Sequence, residues 1–76
     1  MPDRLEFTVV LEPQPDGGFT VTVPALPEVV TEGDSEAEAM VMAAEAIEAV
    51  LSYRRDNGIP IPGDAAPTLR KVSVAA

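Results

Sequence analysis

The stretch DGGFTVTVP, residues 16–24, decides the fold because a turn sequence leads directly into a strand sequence. The two glycines tolerate the positive φ angles that a hairpin connection needs. Residues 19–23 then alternate apolar and polar side chains, the period of a strand with one buried face, and residues 5–11 alternate in the same way. The sequence therefore predicts an antiparallel hairpin. Its turn residues are Asp16, Gly17 and Gly18.

A long helix is predicted further along the chain. Ser35 is placed to act as the N-cap, and Glu38, three residues later, completes a capping box that satisfies orphan backbone donors. From there to Asn57 the chain contains neither proline nor glycine and is rich in alanine. Gly58 follows, so we expect the helix to end at this point.

Two weaker strands complete the predicted order. Residues 28–32 can form a third, edge-like strand before the helix, and residues 69–74 carry the β-branched side chains of a fourth strand. The order β-β-β-α-β favours a right-handed crossover that lays the helix on one sheet face, with strand four parallel beside strand one. We therefore expect one α+β domain over residues 1–76, a two-layer sandwich of one helix on a four-stranded mixed sheet.

The charge of the chain bears on its partners and its location. Thirteen acidic against five basic residues give a net charge of −8, which repels nucleic acid and favours a basic protein partner, although an acidic surface also serves solubility alone. The first residues include acids where a signal peptide would be basic, and no apolar run approaches the roughly 20 residues that span a bilayer. Together with the lack of cysteine, this predicts a soluble, cytoplasmic protein without direct nucleic-acid binding.

The chain has neither histidine nor cysteine, which removes the commonest general base, metal ligand and nucleophile. Carboxylates are the remaining route to catalysis, and they cluster at the predicted helix start. Capping and the helix dipole explain these acids, while a metal site stays as the less favoured alternative. We predict no enzymatic activity, no cofactor and no catalytic or metal-binding residue. The clustered acids are Glu32, Asp34, Glu36 and Glu38.

Two apolar stripes run along the predicted helix at spacings of three and four residues. One is expected to pack on the sheet and the other to meet a protein partner, although alanine is also a good helix former anywhere. Because the domain is small and has no disulfide, we also expect a homo-oligomer, a dimer or larger. The predicted core stripe is Ala37, Met40, Val41, Ala44, Ile47, Val50 and Leu51. The candidate interface is Ala39, Met42, Ala46, Ala49 and Tyr53.

Four segments resemble the HicB antitoxin family in their order and spacing: DGGFTVTVPALP (16–27), TEGDSEAEA (31–39), EAIEAVL (45–51) and GIPIP (58–62). The resemblance implies a partial RNase H-like fold and a non-catalytic antitoxin that binds a small, basic, HicA-type mRNA-cleaving toxin. It covers most of the chain. The sequence departs from the family pattern at Ala25, Glu28, Val29 and Met42.

Three functional hypotheses remain open. The first is neutralisation of a HicA-like toxin by a stoichiometric binding module. The second is an orphan HicB-like oligomeric scaffold or regulator with a different protein partner, and the third is an RNase H-like enzyme that uses carboxylates and a divalent metal. Many family members carry a C-terminal DNA-binding domain, and this sequence resembles the single-domain form without it. We therefore expect no repression by direct DNA binding.

Overall fold

The computed structural model describes residues 4–76. It is an α+β structure in which one helix packs on a three-stranded antiparallel sheet of order β1-β2-β3. The hairpin, the third strand and the helix predicted from the sequence are all present. The elements are β1 Val10–Pro13, β2 Phe19–Thr22, β3 Val30–Gly33 and α1 Glu36–Asp56.

The hairpin turn uses the positive φ angle of one of its two glycines. Gly17 has a φ of 97°, and the Asp16 side chain accepts a hydrogen bond from the Gly18 N–H at 3.1 Å. β1 begins at Val10 rather than at residue 5, because its partner Thr22 is the last residue of β2. Residues before Val10 therefore extend past the hydrogen-bonded part of the hairpin.

The third strand begins two residues later than predicted. Two turns precede it, closed by the Leu26 N–H on the Val23 carbonyl and by the Val29 N–H on the Leu26 carbonyl, each at 2.9 Å. Leu26 and Val29 are fully buried in these turns. Glu28 is therefore held in the connection, and pairing with β2 begins at Val30.

The start of the helix is capped by side chains. Ser35 is the N-cap, with its Oγ accepting the Glu38 N–H at 3.1 Å. The Glu38 carboxylate accepts the Asp34 N–H at 2.7 Å, one residue earlier than in the usual capping box. At the other end, Asn57 is the C-cap and Gly58 follows with a φ of 67°.

The core lies between the helix and one face of the sheet. Strand alternation places Val21 and Val23 on that face, where both are fully buried. The core forms two clusters that share the neighbouring residue Val9. The buried residues of the first cluster are Val23, Leu26, Val29 and Leu51, and those of the second are Val21, Ala39 and Ala43.

Gly33 is where the sheet and the helix approach most closely. A Cβ atom on Gly33 would lie 2.6 Å from the Cα of Ala39 and closer still to its backbone nitrogen. A side chain is therefore sterically excluded, and the first turns of α1 lie directly against β3. The small side chains of Ala39 and Ala43 fit under this close approach, which explains their complete burial.

This contact corrects the predicted orientation of the helix. Met40 and Val41 were expected to face the core, but they are 47% and 57% exposed, and Ala37 and Ala44 are also exposed. The prediction was wrong because it assigned the larger side chains to the sheet face. Only the second half of the predicted core stripe packs on the sheet, through Ile47, Val50 and Leu51.

The predicted fourth strand at residues 69–74 is not formed, and within residues 4–76 the sheet has three antiparallel strands rather than four in a mixed arrangement. Ile61 packs against the core, but every residue from Gly63 to Ala76 is exposed. The chain is consequently elongated, with principal extents of 52 × 26 × 23 Å. The β-branched residues specify an extended segment, whereas a strand also needs an edge to pair with.

We expect Gly33→Ala to lower the free energy of unfolding by about 1–3 kcal/mol or more, because the added methyl group overlaps helix backbone that cannot move aside. Chemical denaturation followed by circular dichroism measures the change. Gly63→Ala is the control, since nothing lies within 4 Å of a Cβ at that position. Equal stability of the two variants would show that the helix does not rest on Gly33.

Ser35→Ala should lower the free energy of unfolding by about 1 kcal/mol through loss of the N-cap hydrogen bond to Glu38. Ser52→Ala, at an exposed position within the same helix, should leave stability unchanged or slightly higher. The same denaturation experiment compares the two substitutions. An unchanged midpoint for Ser35→Ala would mean that the helix starts elsewhere.

Candidate protein-binding surfaces

Within residues 4–76, the acidic side chains do not form a group that could hold a metal ion. The acids at the helix start instead act locally, as shown by the Glu38 carboxylate bound to the backbone N–H of Asp34. In the same part of the chain, no helix is both long and apolar enough to cross a membrane.

The candidate interface predicted on the helix is divided by the structure. Ala39 is completely buried under the sheet, and Ala46 packs against the first core cluster. Ala39 and Ala46 are therefore core positions rather than interface positions as predicted, because the close approach at Gly33 turns them toward the sheet. Met42 is half-buried, Ala49 is exposed and Tyr53 is 59% exposed.

Met42, Ala49 and Tyr53 lie on one side of the helix, which we call the Tyr53 flank. Spacings of four and seven residues place them in a single row. Glu38, Glu45 and Asp56 recur at the matching spacing beside that row, and all three are exposed. The flank thus combines a small apolar centre with an acidic margin.

The opposite side of the helix borders a cleft beside the segment that leads into β1, which we call the β1-side cleft. Its volume is about 400 Å³. Apolar side chains from the helix and from the segment before β1 form much of its wall, and sequence reasoning missed it because it placed Ala44 in the core. The lining residues are Arg4, Leu5, Phe7, Ala44, Ile47, Glu48, Leu51 and Arg55.

The sheet face opposite the helix carries mainly polar side chains. Strand register places Thr20 beside Glu12 and Glu32, and Thr22 beside Val30. These side chains alternate with the buried ones and therefore point away from the helix. This face therefore presents the hydroxyl and carboxylate groups of Thr20, Glu12 and Glu32 beside the exposed side chain of Val30.

An ion pair connects three separate parts of the chain. The Arg54 guanidinium donates to both carboxylate oxygens of Glu28, at 2.9 and 2.8 Å, and its third nitrogen donates to the Pro60 carbonyl at 2.9 Å. The hydrogen bond from Arg54 lowers the pKa of Glu28 below its ordinary value of 4.5. The end of α1 is thereby linked to the β2–β3 connection and to the segment after the helix.

A second polar contact fixes the chain beside β1. The Asp64 carboxylate accepts the Thr8 N–H and the Thr8 hydroxyl, each at 2.7 Å. The backbone hydrogen bond from Thr8, followed by that of its side chain, lowers the pKa of Asp64 below its ordinary value of 3.8. Residues 61–64 are therefore held at the edge of the sheet, and the exposed segment leaves from this point.

A family model described as the HicB-like antitoxin of bacterial toxin–antitoxin systems matches residues 6–75. The chain belongs to the HicB-like antitoxin family. The match includes the sheet, the helix and most of the exposed C-terminal segment of this HicB-like chain.

Individual relatives agree with the family assignment. Antitoxin HicB 1 of Photorhabdus laumondii is 44% identical over 62 residues, which cover 79% of this HicB-like chain and 40% of that protein. Antitoxin HicB of Escherichia coli K12 is 38% identical over 60 residues, covering 76% and 44%. The UPF0150 protein of Thermoplasma acidophilum is 36% identical over 60 residues, covering 79% and 87%. The chain thus spans less than half the length of the two antitoxins.

The lowered pKa values of Glu28 and Asp64 predict how stability depends on pH. Both carboxylates are held in their ionised form by the folded state, so their contribution is complete above the ordinary values of 4.5 and 3.8. It is lost as the pH falls through the lowered folded-state pKa values. We expect the melting temperature to fall over this acidic range.

Asp64→Asn should lower the melting temperature at neutral pH and reduce its fall on acidification, because the ionised partner of Thr8 is gone. Thermal unfolding followed by circular dichroism across the acidic range measures both effects. Glu45→Gln, an exposed helix substitution, serves as the control and should keep the pH dependence of the unchanged chain. A pH profile unaffected by Asp64→Asn would contradict the proposed contribution of this contact.

Proposed function

We propose that this chain is a non-enzymatic antitoxin, a protein-binding module that neutralises a small basic HicA-type mRNA-cleaving toxin by stoichiometric binding. The observation that carries the proposal is the HicB-like antitoxin match over residues 6–75. The net charge of −8 supports it, because an acidic surface attracts a basic partner and disfavours RNA itself. A cytoplasmic location and a single domain over residues 1–76 with a partial RNase H-like fold belong to the same proposal.

The Tyr53 flank is the surface that best fits the toxin contact. Met42 and Tyr53 are residue types enriched at protein interfaces, and the small side chain of Ala49 lets a partner approach the helix closely. The carboxylates of Glu38, Glu45 and Asp56 form the polar margin that a basic partner would meet. Apolar contacts at the centre hold the partner, while the surrounding acids orient it.

The charge distribution also predicts how the complex forms. Attraction between the acidic chain and a basic toxin raises the association rate, and added salt screens this attraction over distances beyond about 8–10 Å. The apolar centre of the contact is screened much less. Added salt should therefore slow association more than it speeds dissociation.

A second candidate function is an orphan HicB-like scaffold or regulator with another protein partner. It is favoured by the lengths of the relatives. The matched part of this chain covers 87% of the Thermoplasma acidophilum relative but only 40% of the Photorhabdus laumondii antitoxin. This candidate predicts that a neighbouring HicA-type protein is absent or is not bound. Co-purification from the native host distinguishes it from the antitoxin function.

The antitoxin proposal predicts that a small basic toxin encoded next to the gene for this chain stops cleaving RNA when an equimolar amount of this chain is added. This chain alone should leave RNA intact. Tyr53→Asp should weaken inhibition at least about tenfold, because it places a charge at the apolar centre. Val41→Asp is the matched control, since Val41 has similar exposure on another side of the helix. An RNA-cleavage titration measures inhibition, and stopped-flow association at two salt concentrations measures the rate.

Two results would refute the antitoxin function. One is cleavage of RNA by this chain alone, and the other is a fully active toxin in the presence of excess chain. If inhibition occurs but Tyr53→Asp and Val41→Asp inhibit equally well, the function stands and the Tyr53 flank is not its surface.

A further inference from the structure

The exposed segment after Asp64, residues 65–76, is here called the arm. Leu69, Val72 and Val74 in the arm are 84%, 82% and 81% exposed, more than any other large apolar side chain in the described part of the chain. Removing such side chains from water is favourable, at about 25 cal/mol for each Å² of apolar surface. A partner that covers the arm would therefore be stabilised by these residues.

The arm has the properties of an unpaired strand. Neither proline nor glycine occurs after Pro67, and residues 69–74 include the β-branched side chains of Val72 and Val74. In an extended conformation Val72 and Val74 lie on one side, while Ser73 points to the other. The arm is not part of the sheet of its own chain, which in the described part of the chain is formed by β1, β2 and β3.

β1 offers an edge that suits this strand. Within the described residues it pairs with β2 on one side only, and the segment that leads into it, through Leu5 and Phe7, lines the β1-side cleft of about 400 Å³. The wall of the cleft includes the apolar residues Leu5, Phe7 and Ala44. A strand added at this edge would direct alternate side chains into the cleft.

The root of the arm lies at the same edge. Asp64 is held by the backbone and side chain of Thr8, two residues before β1. From that point residues 65–76 reach up to about 40 Å if extended at about 3.3 Å per residue. In a two-fold arrangement, each arm thus starts beside one cleft and is long enough to enter the other.

Charge favours a second copy of the chain as the occupant of the cleft. The arm contains Arg70 and Lys71 and no acidic residue, so it carries +2. Since the whole chain carries −8, residues 1–64 carry −10. The basic arm of one copy is therefore attracted over long range to the net negative body of the other, which offsets part of the repulsion between two acidic chains. The cleft wall itself contains Arg4 and Arg55 beside Glu48, so apolar contacts rather than charge must hold the arm in the cleft.

We propose that two copies exchange arms. Residues 68–74 of each copy add as a strand to the outer edge of β1 in the other copy, and Val72 and Val74 fill its β1-side cleft. The strand predicted from the sequence is then formed between chains. This dimer goes beyond the proposed antitoxin function, because it uses the β1 side of the helix and leaves the Tyr53 flank free.

The first test measures self-association of full-length variants by sedimentation. The unchanged chain should form a dimer of twice its 8.0 kDa mass. V72D/V74D should increase the dissociation constant at least about tenfold relative to S73D/A75D, which adds the same charge on the other side of the arm. An unchanged chain that stays monomeric, or a V72D/V74D variant that dimerises as well as its control, would overturn the proposal.

The second test separates exchange between copies from folding of an arm onto its own edge. A44R blocks the cleft from an exposed helix position and leaves the arm intact, whereas V72D/V74D leaves the cleft intact. Each variant alone should be monomeric, and their mixture should form a heterodimer with one arm inserted. Circular dichroism checks that both variants keep their helix. A dimeric A44R variant, or a mixture that stays monomeric, would overturn arm exchange.

Discussion

The close contact between Gly33 and the first turns of the helix is the constraint on which the rest of the structure depends. Because a Cβ at Gly33 would overlap the backbone of Ala39, the helix lies directly on β3 and only small side chains fit beneath its first half. The larger Met40 and Val41 are consequently turned toward solvent. This rotation sets both sides of the helix, the Tyr53 flank and the β1-side cleft.

Two polar contacts then determine where the chain goes after the helix. Arg54 binds Glu28 and the Pro60 carbonyl, and Asp64 binds Thr8 at the edge of the sheet. Together they bring Ile61 against the core. The arm therefore leaves from a fixed point beside β1, so its exposure follows from its direction rather than from a loose attachment to the domain.

The sequence predicted the features that depend on neighbouring residues. The Asp16 turn and the Ser35 cap are short-range patterns, and both are present in the structure. The orientation of the helix was missed, together with the burial of Ala39, because it depends on a contact with Gly33 that helical spacing does not reveal. The β-branched residues at 69–74 indicated an extended segment, but pairing with a sheet edge depends on distant residues that this local pattern does not specify. The contacts of Arg54 and Asp64 join distant residues and have no local signal.

The two proposed associations rely on the same electrostatic attraction, and apolar fit must therefore separate them. A basic toxin and the basic arm of a second copy are both drawn to a body of charge −10, so charge alone does not direct either to its own surface. The cleft is a concave surface whose wall includes Leu5, Phe7 and Ala44, whereas the Tyr53 flank presents an exposed aromatic ring on the helix. Since the two surfaces lie on opposite sides of the same helix, arm exchange leaves one Tyr53 flank free on each copy. A dimer built in this way can bind one toxin molecule per subunit.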